Sequence, residues 1–184
     1  MARRRSWIAT LVLGIPMVVG AQAPRAAADA AIARARAALA PIASIVGEWE
    51  GDATVTAGPG RVVRVRQREE ISWGASGTML FIRGTGRSTD AATLGAVLFE
   101  AAATAWFDES TGRVRMQAHN DGRVLTVDVD VRPDTLVWGF DTPGGRVRYT
   151  IASGNNVFHE IGEFLRPGAP PVRTLEMTLA RQKR

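Results

Sequence analysis

The sequence predicts an all-β chain: a closed or nearly closed antiparallel up-and-down barrel of about ten strands, preceded by a signal peptide and a short Ala-rich helix. Three observations carry that expectation. Beyond Pro41 the chain breaks into short runs in which apolar and polar residues alternate, the period of half-buried strands. Compact clusters such as Asn120-Asp121-Gly122, Pro133-Asp134 and Pro143-Gly144-Gly145 separate the runs, and turns this tight make consecutive strands antiparallel. A sheet built that way has two bare edges unless it closes on itself.

The first element is an export signal, expected over residues 1–21. Arg3-Arg4-Arg5 precedes an apolar run from Trp7 to Val19 and the small residues Val19-Gly20-Ala21, in the order of a secretory leader. Cleavage is expected after Ala21, because a cut after Ala23 would set Pro24 beside the scissile bond. The apolar run is short and interrupted by Gly14 and Pro16, so no stable membrane span is expected in the mature protein. A periplasmic or secreted location follows.

Charge has to be read with that segment set aside. The full chain carries 23 basic and 18 acidic side chains. Residues 1–21 hold three of the basic ones and no acidic one, leaving 20 against 18. A body so near neutrality has little attraction for polyphosphate, and no nucleic-acid partner is expected. The chain has no cysteine, which excludes disulfides, thiolate zinc sites and a cysteine nucleophile. Lys183 is the sole lysine, so no interior lysine is available for Schiff-base chemistry.

Residues 22–41 form an Ala-rich segment, helical from Arg25 to Ala40 and stopped by Pro41. Its few large apolar residues, Ile32 and Leu39, suit a helix laid over one mouth of the barrel or its outer wall. The barrel domain is expected over residues 42–182, with strands near 47–56, 61–73, 78–86, 95–107, 113–119, 123–132, 135–141, 146–152, 157–166 and 172–181. Within them Leu136, Trp138 and Phe140 share a face, as do Val147, Tyr149 and Ile151, and Leu175, Met177 and Leu179. Turned inward, these sets give an apolar, aromatic interior.

Chemistry-bearing residues are few. His119 and His159 are the only histidines, and no paired-histidine metal spacing exists, so no metal site is expected. His119 is in phase with Arg113, Arg115 and Gln117 and should face water. His159 is in phase with Val157, Ile161, Glu163 and Leu165, which leaves it facing either the cavity or the solvent. No serine sits in a nucleophile elbow, and no catalytic residue is assigned. Glu48, Glu50 and Asp52 read as a solvated outer face. Glu69 differs: it shares its phase with Val63, Val65, Gln67, Ile71 and Trp73, where a buried carboxyl needs a partner or a raised pKa. The expected ligand-contacting set is Gln67, Glu69, Trp73, Phe81, Trp106, Trp138, Tyr149 and His159.

Gly47-Glu48-Trp49 at the first strand and Arg181 near the end of the last resemble the G-x-W motif and closing arginine of the calycins, the superfamily of lipocalins and fatty-acid-binding proteins. That resemblance implies that Trp49 seals one end of the barrel with Arg181 packed across it. Further segments, Ile45-Val46-Gly47-Glu48-Trp49-Glu50-Gly51, Trp106-Phe107-Asp108, Val157-Phe158-His159-Glu160 and Thr174 to Arg181, are similar to a bacterial family of calycin-like barrels, the domain-of-unknown-function family numbered fifteen seventy-nine. The likeness runs from about residue 40 to 182 and implies a barrel without an established activity. The strand number also resembles nitrobindin, a haem-binding barrel with an iron-ligating histidine early in its final strand. This chain has Thr174 in that neighbourhood, so haem is disfavoured and no cofactor is expected. The leading expectation is an exported barrel that binds a small hydrophobic molecule. The alternatives are an isomerase, cyclase or hydratase on an apolar substrate, with Glu69, His159 or an interior arginine as acid or base, and a haem-binding barrel.

Overall fold

The computed structural model describes residues 22–183 apart from Pro59; the expected signal segment, residues 1–21, lies outside the described residues. Helix α1 (Gln22–Leu39) runs into a 3₁₀ turn, Ala40–Ile45, with Pro41 at its start. Ten strands follow: β1 (Gly47–Thr56), β2 (Val62–Gly74), β3 (Met79–Ser88), β4 (Val97–Asp108), β5 (Arg113–Asn120), β6 (Arg123–Arg132), β7 (Thr135–Thr142), β8 (Gly145–Gly154), β9 (Val157–Leu165) and β10 (Val172–Arg181). Each pairs antiparallel with its neighbour in sequence, and β10 pairs with β1 to close the barrel. Closure removes both edges. Turn chemistry sets the register: Asp121-Gly122 and Asn155-Asn156 take positive φ at both positions, the two-residue hairpin geometry that matches strand twist.

The barrel is corked at the end where β1 and β3 start and β2, β4 and β10 finish. Helix α1 packs on β3 and β4 there, held by Arg34 to Glu109 and by Arg36 to the Ser76 carbonyl. The 3₁₀ turn continues across the mouth to β6, β7 and β8, where the Asp134 amide donates to the Pro41 carbonyl and the Ser44 and Ser153 hydroxyls meet at 2.7 Å. At this end lie the largest fully buried side chains among the described residues: Leu39, Ile42, Ile45, Trp49, Leu80, Leu136, Phe158 and Leu179. Trp49 donates its indole N–H to the Ile45 carbonyl at 2.7 Å and packs on Phe158. Arg181 pairs with Trp49 across the β1–β10 seam and holds its guanidinium 4.0 Å from the indole centroid, a cation–π contact. The same guanidinium donates to the Val46 and Ser44 carbonyls at 2.7 and 2.8 Å. A Cβ on Gly47 would collide with that guanidinium, so the glycine two residues before Trp49 makes room for it.

The outer wall is laced with ion pairs, among them Arg66 to Glu50 and Asp52, and Arg68 to Glu48 and Glu70. Exposed pairs of this kind contribute little individually. The wall has one weak seam: β6 and β7 pair only over Asp130–Arg132 and Thr135–Val137, and beyond that they part. A cleft of about 410 Å³ opens there, lined by Arg113, Asp128, Arg146 and Arg148 outside and by Val129 and Trp138 of the inner face. No helix among the described residues is long and apolar enough to cross a membrane.

Candidate functional site

The interior is divided by side-chain size. On β3 and β4 the inward positions at mid-height are Gly84, Gly86, Ala101 and Ala103, with Leu80, Ile82, Ala105 and Phe107 towards the corked end and Phe99 at the open one. The circular strand order places β8 opposite β3 and β9 opposite β4. The facing wall is bulky: Trp138 stacks on Tyr149 with centroids 4.4 Å apart, and Phe140 lies 6.4 Å from Trp138. Gly162 on β9 accommodates the Tyr149 ring, since a Cβ there would come within 2.8 Å of it.

Polar groups sit in this apolar space. Gln67, Glu69 and Glu160 are all more than nine-tenths buried. Gln67 donates from Nε2 to Glu69 Oε1 at 2.7 Å. Both side chains occupy space left by the glycines of β3: a Cβ on Gly84 would lie 2.6 Å from Glu69 Oε1, and one on Gly86 2.7 Å from Gln67 Oε1. Gly84→Ala is therefore expected to displace the Glu69 carboxyl and destabilise the protein by about 1–3 kcal/mol, measurable by urea unfolding. An unchanged midpoint would mean that the carboxyl moves away at no cost.

Neither carboxyl has a cationic partner among the described residues, and burial sets their protonation. It pushes Glu69 up to about 7, only partly offset by the Gln67 hydrogen bond. Burial, with the Glu69 charge adding to it, pushes Glu160 up to about 8. Tyr149 is raised as well, by burial first and by the Glu160 charge second. These three groups thus sense a common interior. Two arginines of the described strands fall in the inward phase: Arg181 is committed to the cork, and Arg123 stands exposed at the open end of β6.

The sequence-predicted set is only partly brought together. Gln67, Glu69, Trp138 and Tyr149 are inside. Trp73 keeps the phase of Glu69 but stands at the rim of the corked end, more than a third exposed. Phe81 and Trp106 are corrections. Phe81 alternates with the inward Leu80 and Ile82, and Trp106 with the inward Ala105 and Phe107, so both lie on the outer wall. His159 is also outside, 3.7 Å from Glu176, and His119 is exposed next to Gln117. With both histidines outside and Thr174 at a register shift on β10, the residues present do not fit a histidine-ligated haem. No cluster of three or more metal-ligating side chains occurs among the described residues. Glu160 is the interior residue that the sequence reading passed over. Its signal was its phase with Phe158, Gly162 and Phe164.

Comparison with known proteins bears on the fold. Neither the protein-family models nor the curated proteins compared with the chain match its sequence. Among solved structures the chain is similar to Rv2717c from M. tuberculosis, at 12% identity and a TM-score of 0.59, over 79% of this chain and 98% of that one. At that identity the likeness is one of architecture: a ten-stranded antiparallel barrel.

Proposed function

We propose that the protein is an exported, calycin-like binding protein that takes a small, mostly apolar molecule into the barrel interior. The observation that carries this reading is the division of the interior into a glycine- and alanine-lined wall facing the Trp138–Tyr149 stack, beneath a sealed end. Gln67 and Glu69 fill the space beside the β3 glycines, the alanines of β4 keep the opposite wall low, and a few buried polar groups in an apolar surround fix a ligand's orientation. The open end adds an apolar lip, with Phe99 in an inward position and 43% exposed. The test is organic extraction of the purified protein with mass spectrometry, followed by titration of stripped protein with a panel of apolar dyes and lipids. One molecule bound per chain is expected, with Trp138→Ala weakening it at least tenfold. A protein that carries nothing and binds no member of the panel would end the proposal.

A further inference from the structure

We propose that the interior site selects a cationic amine carried on an apolar body, with its ammonium group at Glu69 and Glu160 beside the Trp138–Tyr149 stack. This deepens the proposed function and rests on the interior being a ligand site. Glu160 is the strongest pointer. It is 8% exposed, faces inward between Phe158 and Gly162, and has no hydrogen bond or ion pair among the described residues. Fold-making buried carboxyls are normally paired, because burying an unpaired charge costs several kcal/mol. Here the Glu69 hydrogen bond from Gln67 is the sole satisfaction offered to two carboxyls.

Charge decides which ligand fits. The buried interior offers acids and no free cation: Arg181 is bound to two carbonyls and to the Trp49 ring, and Arg123, though in the inward phase, stands exposed at the open rim. A carboxylate ligand would bring a third acid into the same space. A neutral alcohol would offer hydrogen bonds but no counter-charge to an ionised carboxyl. An ammonium group supplies charge-assisted hydrogen bonds to both acids, and the aromatic stack attracts the same charge through its ring faces. The raised proton affinity of Glu69 and Glu160 is the cost of lacking such a partner.

The test uses three probes with one chain length: decylammonium, decan-1-ol and decanoate, each titrated calorimetrically into the protein at pH 7.5. Decylammonium should bind at least tenfold more tightly than decan-1-ol, and decanoate most weakly. Glu160→Gln and Glu69→Gln should each weaken decylammonium at least tenfold while leaving decan-1-ol within twofold. Glu100→Gln, which removes an exposed carboxyl of the outer wall, should leave all three unchanged, separating the interior from surface attraction. If decan-1-ol or decanoate matches or exceeds the amine, the inference fails while the interior reading stands. If none of the three binds, both fail.

Discussion

Glu160→Gln is expected to raise the melting temperature at pH 8 by on the order of 10 °C and to leave it nearly unchanged at pH 4.5. The sign follows from proton linkage. Between the ordinary glutamate value of 4.5 and about 8, the folded chain holds a proton that the unfolded chain has released, so stability falls as pH rises. At pH 8 the difference amounts to on the order of 3–4 kcal/mol per carboxyl, at 1.36 kcal/mol per unit. Glutamine keeps the shape and removes the ionisation. Glu69, raised to about 7, should give the same trend over a narrower window. Asp108, Glu109 and Glu176 are shifted down by hydrogen bonds from Ser110, Arg34 and Arg173 respectively. Their contribution is present at neutral pH and lost below their ordinary values, and their exposure keeps it small. Thermal melts of wild type and variant at both pH values provide the check. No gain at pH 8 would show that water reaches the Glu160 carboxyl freely, and an equal gain at pH 4.5 would show that its source is not the ionisation.

Trp49→Ala is expected to cost about 3–5 kcal/mol. The indole is wholly buried, so its removal leaves a cavity under the 3₁₀ turn. It also orphans the Ile45 carbonyl and strips the Arg181 guanidinium of the ring it covers. Denaturant unfolding measures the loss. A cost below about 1 kcal/mol would mean that the cap is held by α1 and its own apolar residues, with the indole as filler.

The barrel was legible because period-two alternation and turn chemistry are local. The strands expected at 47–56, 123–132 and 172–181 coincide with β1, β6 and β10, and the others differ by a few residues at their ends. Facing was legible only where one phase is polar. In β2, Arg64, Arg66 and Arg68 alternate with Val65, Gln67 and Glu69, so the inner face reads cleanly. In β9 both phases carry large apolar residues: Val157, Ile161 and Leu165 against Phe158 and Phe164. Alternation alone cannot choose between His159 and Glu160. What chooses is Gly162, which must face the Tyr149 ring across the β8–β9 ladder, a tertiary fact absent from the local pattern. In β4 the inner face holds alanines between Phe99 and Phe107, so Trp106 falls outside although it is larger than its inward neighbour Ala105. The site's chemistry was half visible, in Glu69, and half hidden, in the carboxyl that opposes it.

The abbreviated β6–β7 ladder has a mechanical corollary. Every other neighbouring pair of strands is stitched over seven or more residues, so a hoop of this construction yields first at its shortest weld. Thermal breathing is thereby concentrated beside Trp138, and amide exchange at Val137 should outpace that in β1 or β2. The yielding stretch thus lies in the wall itself, next to the few rungs that the cap pins through Asp134.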